Sequence, residues 1–362
     1  MKIRLTLGLA GLLVLAACGP TAVPTEPPTA TSPPTSRKLR VMTHDSFDIS
    51  EDVLNTFEAE HNAELEILKA GDAGVVLNQA ILSKDNPLAD VLYGVDNTLL
   101  SRALDADIFE PYSSSMLDAI PDHLELDDQH RALPVDYGDV CLNYDKAWFQ
   151  SEGMGPPTNL EDLTVADYEG LTVVENPATS SPGLAFMLAT IGHFGEQGDY
   201  SWLDYWADLG ENDVLVTEGW SEAYYEQFTY GSGGSGNRPI VVSYASSPPV
   251  EVHFSEEPFE DAPTGVVVGE GSCFRQVEFV GVLRNAESPD LAREWIDFML
   301  SRTFQEDIPL NMFVFPANEN AQLPDVFAEF AIIPESPVSL DYMAIEANRE
   351  AWIEAWTETA LR

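Results

Sequence analysis

Between residues 39 and 103 short apolar runs alternate with amphipathic ones, and this alternation limits the possible folds more than any other feature of the chain. Leu39 to Thr43 reads as a strand that ends in the polar loop His44-Asp45-Ser46-Phe47. A helix is predicted over about 50–61, with Val53, Leu54 and Phe57 on one face. Ser50, Glu51 and Asp52 give it a capped, acidic start. Residues 63–68 form a second strand, and Gly71-Asp72-Ala73-Gly74 turns the chain into a helix over about 75–83. Residues 89–93 form a third strand, and Gly94-Val95-Asp96-Asn97 leads to a helix over about 98–103. A β-α-β-α-β order of this kind builds an open parallel sheet, which holds ligands in the loops beyond its strand ends.

The segment Leu133 to Asp145 is long and extended, with Pro134 and Gly138 inside it, as a crossing between two lobes would be. A second α/β unit follows. Residues 171–177 read as a strand, Ala178 to Gly183 as its loop, and Leu184 to Phe194 as an apolar helix. Ser180 and Ser181 precede Pro182-Gly183, so either can cap that helix or bind a ligand; capping is the simpler role. Asp213 to Val216 is strand-like and Ser221 to Phe228 helical, which sets Gly219-Trp220 at a corner between them. A core tryptophan at a turn is the alternative to a ligand platform. The strand Ile240 to Ser243 runs into a further corner, Tyr244-Ala245-Ser246-Ser247-Pro248, rich in hydroxyls and free N–H groups. The insert Gly231-Ser232-Gly233-Gly234-Ser235-Gly236 lacks the Lys-Ser/Thr and the strand-to-helix setting of a phosphate loop. A second crossing is expected over 265–280 and a third near 311–316, and a helix over 288–300 directs Leu291, Trp295 and Phe298 inward. The last helix, about 337–361, carries Trp352 and Trp356 four residues apart, as a core stripe would.

The N-terminus bears on location. A short basic start and the apolar run Leu5 to Ala17 have the layout of an export signal, too short to span a bilayer. Leu15-Ala16-Ala17-Cys18-Gly19 resembles the bacterial lipobox, in which the cysteine is lipidated; ordinary cleavage beside an unmodified Cys18 is the alternative. Residues 18–37, mostly Pro, Thr, Ala and Ser, read as a tether. About 325 residues remain, enough for two lobes. Acidic residues number 61 against 17 basic, a formal charge of −44, which excludes nucleic acid and anionic lipid surfaces as partners. Membrane attachment is therefore expected through the lipid alone. Once Cys18 is set aside, Cys141 and Cys273 remain. An even pair in an exported chain favours a disulfide between the two crossings, with two free buried thiols as the alternative.

Several segments, in order along the chain, resemble the thiamine-binding subunits of ABC importers: Thr43 to Phe47, Gly94 to Asn97, Pro134 to Gly138, Thr179 to Leu184, Gly219 to Tyr224, Ser243 to Pro248 and Phe315 to Asn318. The resemblance implies a two-lobe α/β periplasmic-binding-protein fold of type II, each lobe an open, mostly parallel sheet flanked by helices, with the ligand in the interlobe cleft. Lobe 1 would comprise residues 38–135 and 271–316, lobe 2 residues 136–270, and residues 317–362 a helical segment completing them. The hinge is expected near residues 136–138 and 269–271.

The resemblance further implies a monomer that captures thiamine or a phosphate ester for ABC permease subunits, without transforming it and without a cofactor or metal. Ligand positions carried over are Asp72, Ala73, Ser180, Ser181, Trp220, Tyr244, Ala245, Ser246 and Ser247, joined by His44, Asp96, Asp136 and Tyr137 from the matched segments and by Phe313 as a further aromatic face. Aromatic faces suit a flat cation, with tryptophan the best of them, and Asp72 would supply charge. The sequence departs from the family at His44, where tyrosine is frequent, at Phe313, where tryptophan is, and at Ala245, where a hydroxyl is usual. A ferric-iron binder would use the adjacent pair Tyr224-Tyr225. An exported hydrolase is less well supported, because neither a Gly-x-Ser-x-Gly elbow nor His-Glu-x-x-His occurs.

Overall fold

The computed structural model describes residues 36–71, 73–231, 233–255 and 260–361. Cys18, the leader, most of the tether and Asp72 lie outside the described residues.

Along the chain the strands are β1 (Arg37–Thr43), β2 (Ala63–Lys69), β3 (Val91–Asp96), β4 (Phe109–Glu110), β5 (Leu133–Asp145), β6 (Thr172–Glu175), β7 (Leu215–Thr217), β8 (Ile240–Tyr244), β9 (Thr264–Val267), β10 (Phe274–Leu283) and β11 (Phe315–Pro316). The main path of hydrogen-bonded neighbours runs β2-β1-β3-β10-β5-β8-β6-β7. Its two ends are parallel, β2-β1-β3 on one side and β8-β6-β7 on the other. The antiparallel pair β10-β5 joins them. This is a two-lobe α/β arrangement with a mostly parallel sheet in each half.

Each half has its own core. One is built by Leu39, Val41, Phe57, Val91, Leu92 and Trp295 with neighbours from both ends of the chain. The other gathers Val140, Leu142, Phe186, Trp206 and Phe274 with Ile345, Trp352 and Trp356. The tryptophan stripe of the last helix is therefore core packing, and Trp356 meets Trp206 edge-on at 5.4 Å. That helix also reaches the first half, where Arg349 Nη1 donates to the Thr98 carbonyl at 3.4 Å.

Local signals explain several helix starts. Ser50 caps Glu51–His61 by accepting from Val53 N. Ser201 and Asp204 form a capping box at Trp202–Glu211. Four expectations need correction. β1 begins at Arg37, inside the expected tether, because Arg37 already pairs with Ala63. β3 starts two residues later than expected and continues through Asp96, since Val95 and Asp96 pair with β10. The segment after Trp220 is a single turn, Trp220–Glu222, followed by a π-helical turn, Ala223–Gln227, in place of one regular helix. The last helix begins at Tyr342, capped by Asp341, because the preceding segment is drawn into a β-bridge between Val338 and Phe274.

Cys141 and Cys273 form a disulfide, with Cα atoms 4.3 Å apart and a sequence separation of 132. It lies against Ala245 and Val266, beside the strand pair that the two halves share. Closing so long a loop restricts the unfolded chain, so replacing both cysteines by alanine is expected to cost about 3–5 kcal/mol of unfolding free energy. Denaturant melts with and without reductant check this: reductant should lower the wild-type midpoint and leave the double variant unmoved. A double variant with the wild-type midpoint would show that the bond adds nothing to the strand pairing.

Candidate functional site

Two families of loops carry the predicted residues. In the first half they follow the C-terminal ends of β1, β2 and β3, and in the second those of β6, β7 and β8. The loops are tied to one another: Asp45 N donates to the Gly71 carbonyl at 2.9 Å, and Thr179 Oγ1 to the Glu218 carbonyl at 2.7 Å. Between the two families β5 and β10 pair Asp136 with Glu278 and Gly138 with Gln276. Strand side chains alternate in direction, so Gln276 and Glu278 share a face of β10.

On the first-half side His44 is buried and its Nε2 lies 3.2 Å from Glu278 Oε1. The Tyr93 hydroxyl donates to Asp136 Oδ2 at 2.5 Å and to Glu278 Oε2 at 2.9 Å. Two carboxyls thus share one buried phenol. Burial and the neighbouring Glu278 hold Asp136 well above the usual carboxylate range. Burial opposes charge on Glu278 as well, but His44 and the surrounding donors outweigh it and hold Glu278 below its ordinary value. The arrangement favours a neutral Asp136 beside an ionised Glu278. Asp96 is fully buried, accepts from Thr98 N at 2.9 Å and from Gln276 Nε2, and is raised by its burial. Tyr137 stacks on Phe315 at 5.4 Å, and the Arg275 guanidinium lies 4.9 Å from its ring centre.

On the second-half side Trp220 is half-buried and its Nε1 donates to Ser243 Oγ at 2.9 Å. The Ser243 and Ser247 hydroxyls are also 2.9 Å apart. One face of the Trp220 ring stacks on Tyr224 at 4.8 Å and 22°, and Tyr225 meets it edge-on at 5.3 Å. Ser180 caps the helix Ser181–Phe194 through Gly183 N, as the simpler reading expects, while Ser181 stays half-buried at its first turn. Ser246 Oγ donates to the Phe313 carbonyl at 2.6 Å, which fastens Phe313 at a φ of 60°, an uncommon setting for a bulky residue.

The two sides meet through Gln276. Its Oε1 accepts from the Tyr244 hydroxyl at 3.3 Å while its Nε2 donates to Asp96. The structure therefore connects Trp220, Ser243, Ser247 and Tyr244 with Asp96, Asp136 and His44 across the shared strands. Ala245 is the exception: its side chain is buried in the cluster around the disulfide, so only backbone is left for a ligand there. Ala73 is buried at the start of the helix Ala73–Leu82.

A model of the family described as "Bacterial extracellular solute-binding protein" matches residues 86–331. The chain belongs to this family. Over 332 residues it is 31% identical to the thiamine-binding periplasmic protein of Escherichia coli (strain K12), an alignment covering 90% of this chain and 94% of the relative. A solved periplasmic thiamin binding protein superposes with a TM-score of 0.77 at 27% identity, covering 91% of this chain and 98% of that one. A ferric binding protein from Campylobacter jejuni shares the fold alone, with a TM-score of 0.71 at 17% identity and coverage of 89% and 99%.

In this solute-binding protein the sequence reading did not name Tyr93, Gln276 or Glu278 among the candidates, and it had Ser243 only within a matched segment. A signal for Gln276 and Glu278 was present, since polar residues at alternate positions of an otherwise apolar crossing strand point to one polar face. Gly94 explains how His44 fits. Its φ is +95°, and a Cβ added there would lie 2.2 Å from His44 Cδ2. Gly94→Ala is expected to lower unfolding free energy by about 1–3 kcal/mol from backbone strain alone. Thermal melts, together with the NMR resonances of His44, check this. An unchanged melt and an unmoved His44 would refute the close packing.

Proposed function

We propose that this protein captures thiamine or one of its phosphate esters in the cleft between its lobes and delivers it, unaltered, to an ABC importer. The observation that carries the reading is the Trp220 ring, held by Ser243 at the β7 corner in a chain whose relatives are named for thiamine binding. One ring face rests on Tyr224, so the opposite face is the one to receive a thiazolium cation. Across the cleft the ionised Glu278 supplies the opposing charge, to which Asp72 would add if it acts as the resemblance implies. The hydroxyls of Ser181, Ser246 and Ser247 and the helix start at Ser180 are suited to the hydroxyethyl tail or its phosphates. His44, Asp96, Asp136, Tyr137, Tyr244 and Phe313 complete the walls, with Ala73 and Ala245 contributing backbone. Closure about the shared crossings, near residues 136–138 and 269–271, would seal the ligand from water. A lipid on Cys18 and the tether that follows it would hold the body at the outer face of the membrane.

Ferric iron is the weaker reading. The Tyr224 hydroxyl of the adjacent tyrosine pair donates to Glu251, and its ring stacks on Trp220. Among the described residues no group of three or more His, Cys, Asp or Glu is placed to hold a metal ion.

Trp220→Ala is expected to weaken thiamine binding by about 2 kcal/mol, or roughly thirtyfold, the scale of a desolvated cation–π contact. Calorimetric titration checks this. An affinity within about twofold of wild type would remove Trp220 from the site.

A further inference from the structure

Behind the Trp220 platform lies a carboxyl that the proposed binding reaction does not use. Glu251, on the helix Ser247–His253, is half-buried and turns its carboxyl inward between two hydroxyls. The Tyr224 hydroxyl donates to Oε1 and the Thr264 hydroxyl of β9 to Oε2. Tyr224 in turn stacks on Trp220 at 4.8 Å with the rings nearly parallel. A continuous path thus leads from one carboxyl, through one phenol, to the aromatic face that meets the ligand. A phenol donating to a carboxylate gains electron density in its ring, and a negative charge behind the stack attracts a cation in front of it.

We propose that Glu251 is a positioning residue for the bound cation, acting through Tyr224 to strengthen the Trp220 face when its carboxyl is ionised. This deepens the reading of Trp220 as a cation platform and rests on it. Burial pushes Glu251 up to about 7, against the two hydroxyl donors, so the group changes charge within the physiological range. Among the described residues, four other charged or titratable groups act at this point besides Tyr224. Asp145 raises Glu251 further and Lys146 lowers it, while Tyr225 and Tyr230 are themselves raised by burial and by Glu251. Glu251 is neutral below its shifted value and ionised above it, so cation binding should tighten as pH rises through about 7.

The test uses the mature protein, its Glu251→Gln variant, and Tyr224→Phe, which keeps the stacked ring and cuts the link. In a ligand-free pH titration, the part of the tryptophan fluorescence that Trp220→Phe removes should step near pH 7 in wild type and stay flat in both variants. Calorimetry should show wild-type affinity for thiamine falling roughly fivefold to tenfold between about pH 8 and about pH 6, within the scale of a cation–π contact at a desolvated face. Both variants should be weak at either pH, with no such slope. A fluorescence step or an affinity slope that survives in either folded variant overturns the proposal. If thiamine binds nowhere in this range while the variants still abolish the step, the coupling of Glu251 to Trp220 stands and the thiamine reading falls.

Discussion

The antiparallel pairing of β5 with β10 is the constraint on which the rest depends. Seven residues of β10, Phe274 to Val280, pair with β5, and each strand also borders one of the parallel sheets. Neither half can therefore shift its strand ends without bending this pair. The disulfide between Cys141 and Cys273 closes the pair where β5 passes into the second half. Both loop families are in this way set against a common floor, and the residues on that floor decide what it can hold.

That floor is acidic and mostly dry. Asp96 and Asp136 are buried, and burial first, with the neighbouring Glu278 adding to it, drives both toward the neutral form. Charge is kept where it has a partner: Glu278 stays ionised beside His44, and Asp139 forms a two-pronged pair with Arg275. Holding buried carboxylates ionised is costly even when they are paired, and a cationic ligand that enters beside them offsets part of that cost. On the proposed reading, this is a physical reason for the cleft to take a cation that requires neither the overall charge of −44 nor any single aromatic contact. The overall charge acts at longer range, by raising the local concentration of cations around the protein.

Much of the fold was legible in the sequence because its parallel strands are short apolar runs separated by capped helices. Ser50 and Ser180 mark helix starts that the structure realises with side-chain caps. The long extended segment expected over Leu133 to Asp145 is β5, one uninterrupted strand. The turn at Trp220 was located but its form was not, because the stack on Tyr224 and the Tyr224–Glu251 bond distort what propensity alone would make a regular helix. The loop corners that carry Trp220, Tyr244 and Ser247 were legible because turn residues announce them. The site was illegible where the decisive partner is distant in the chain. Glu278 lies far from His44 in sequence, and only the strand order β1-β3-β10 makes them neighbours. Ala245 shows the converse error: a position inferred from neighbouring matches turned out to face the disulfide.

The central claim is that the two loop families converge on one organic cation. The most direct measurement is calorimetric titration of the mature protein with thiamine, its monophosphate and diphosphate, and ferric ion, each alone and then in competition. Saturable binding of thiamine or an ester at a single site, with a Kd of about 1 μM or tighter and no displacement by ferric ion, is the expected result. Tight ferric binding with no heat from thiamine or its phosphates would contradict it.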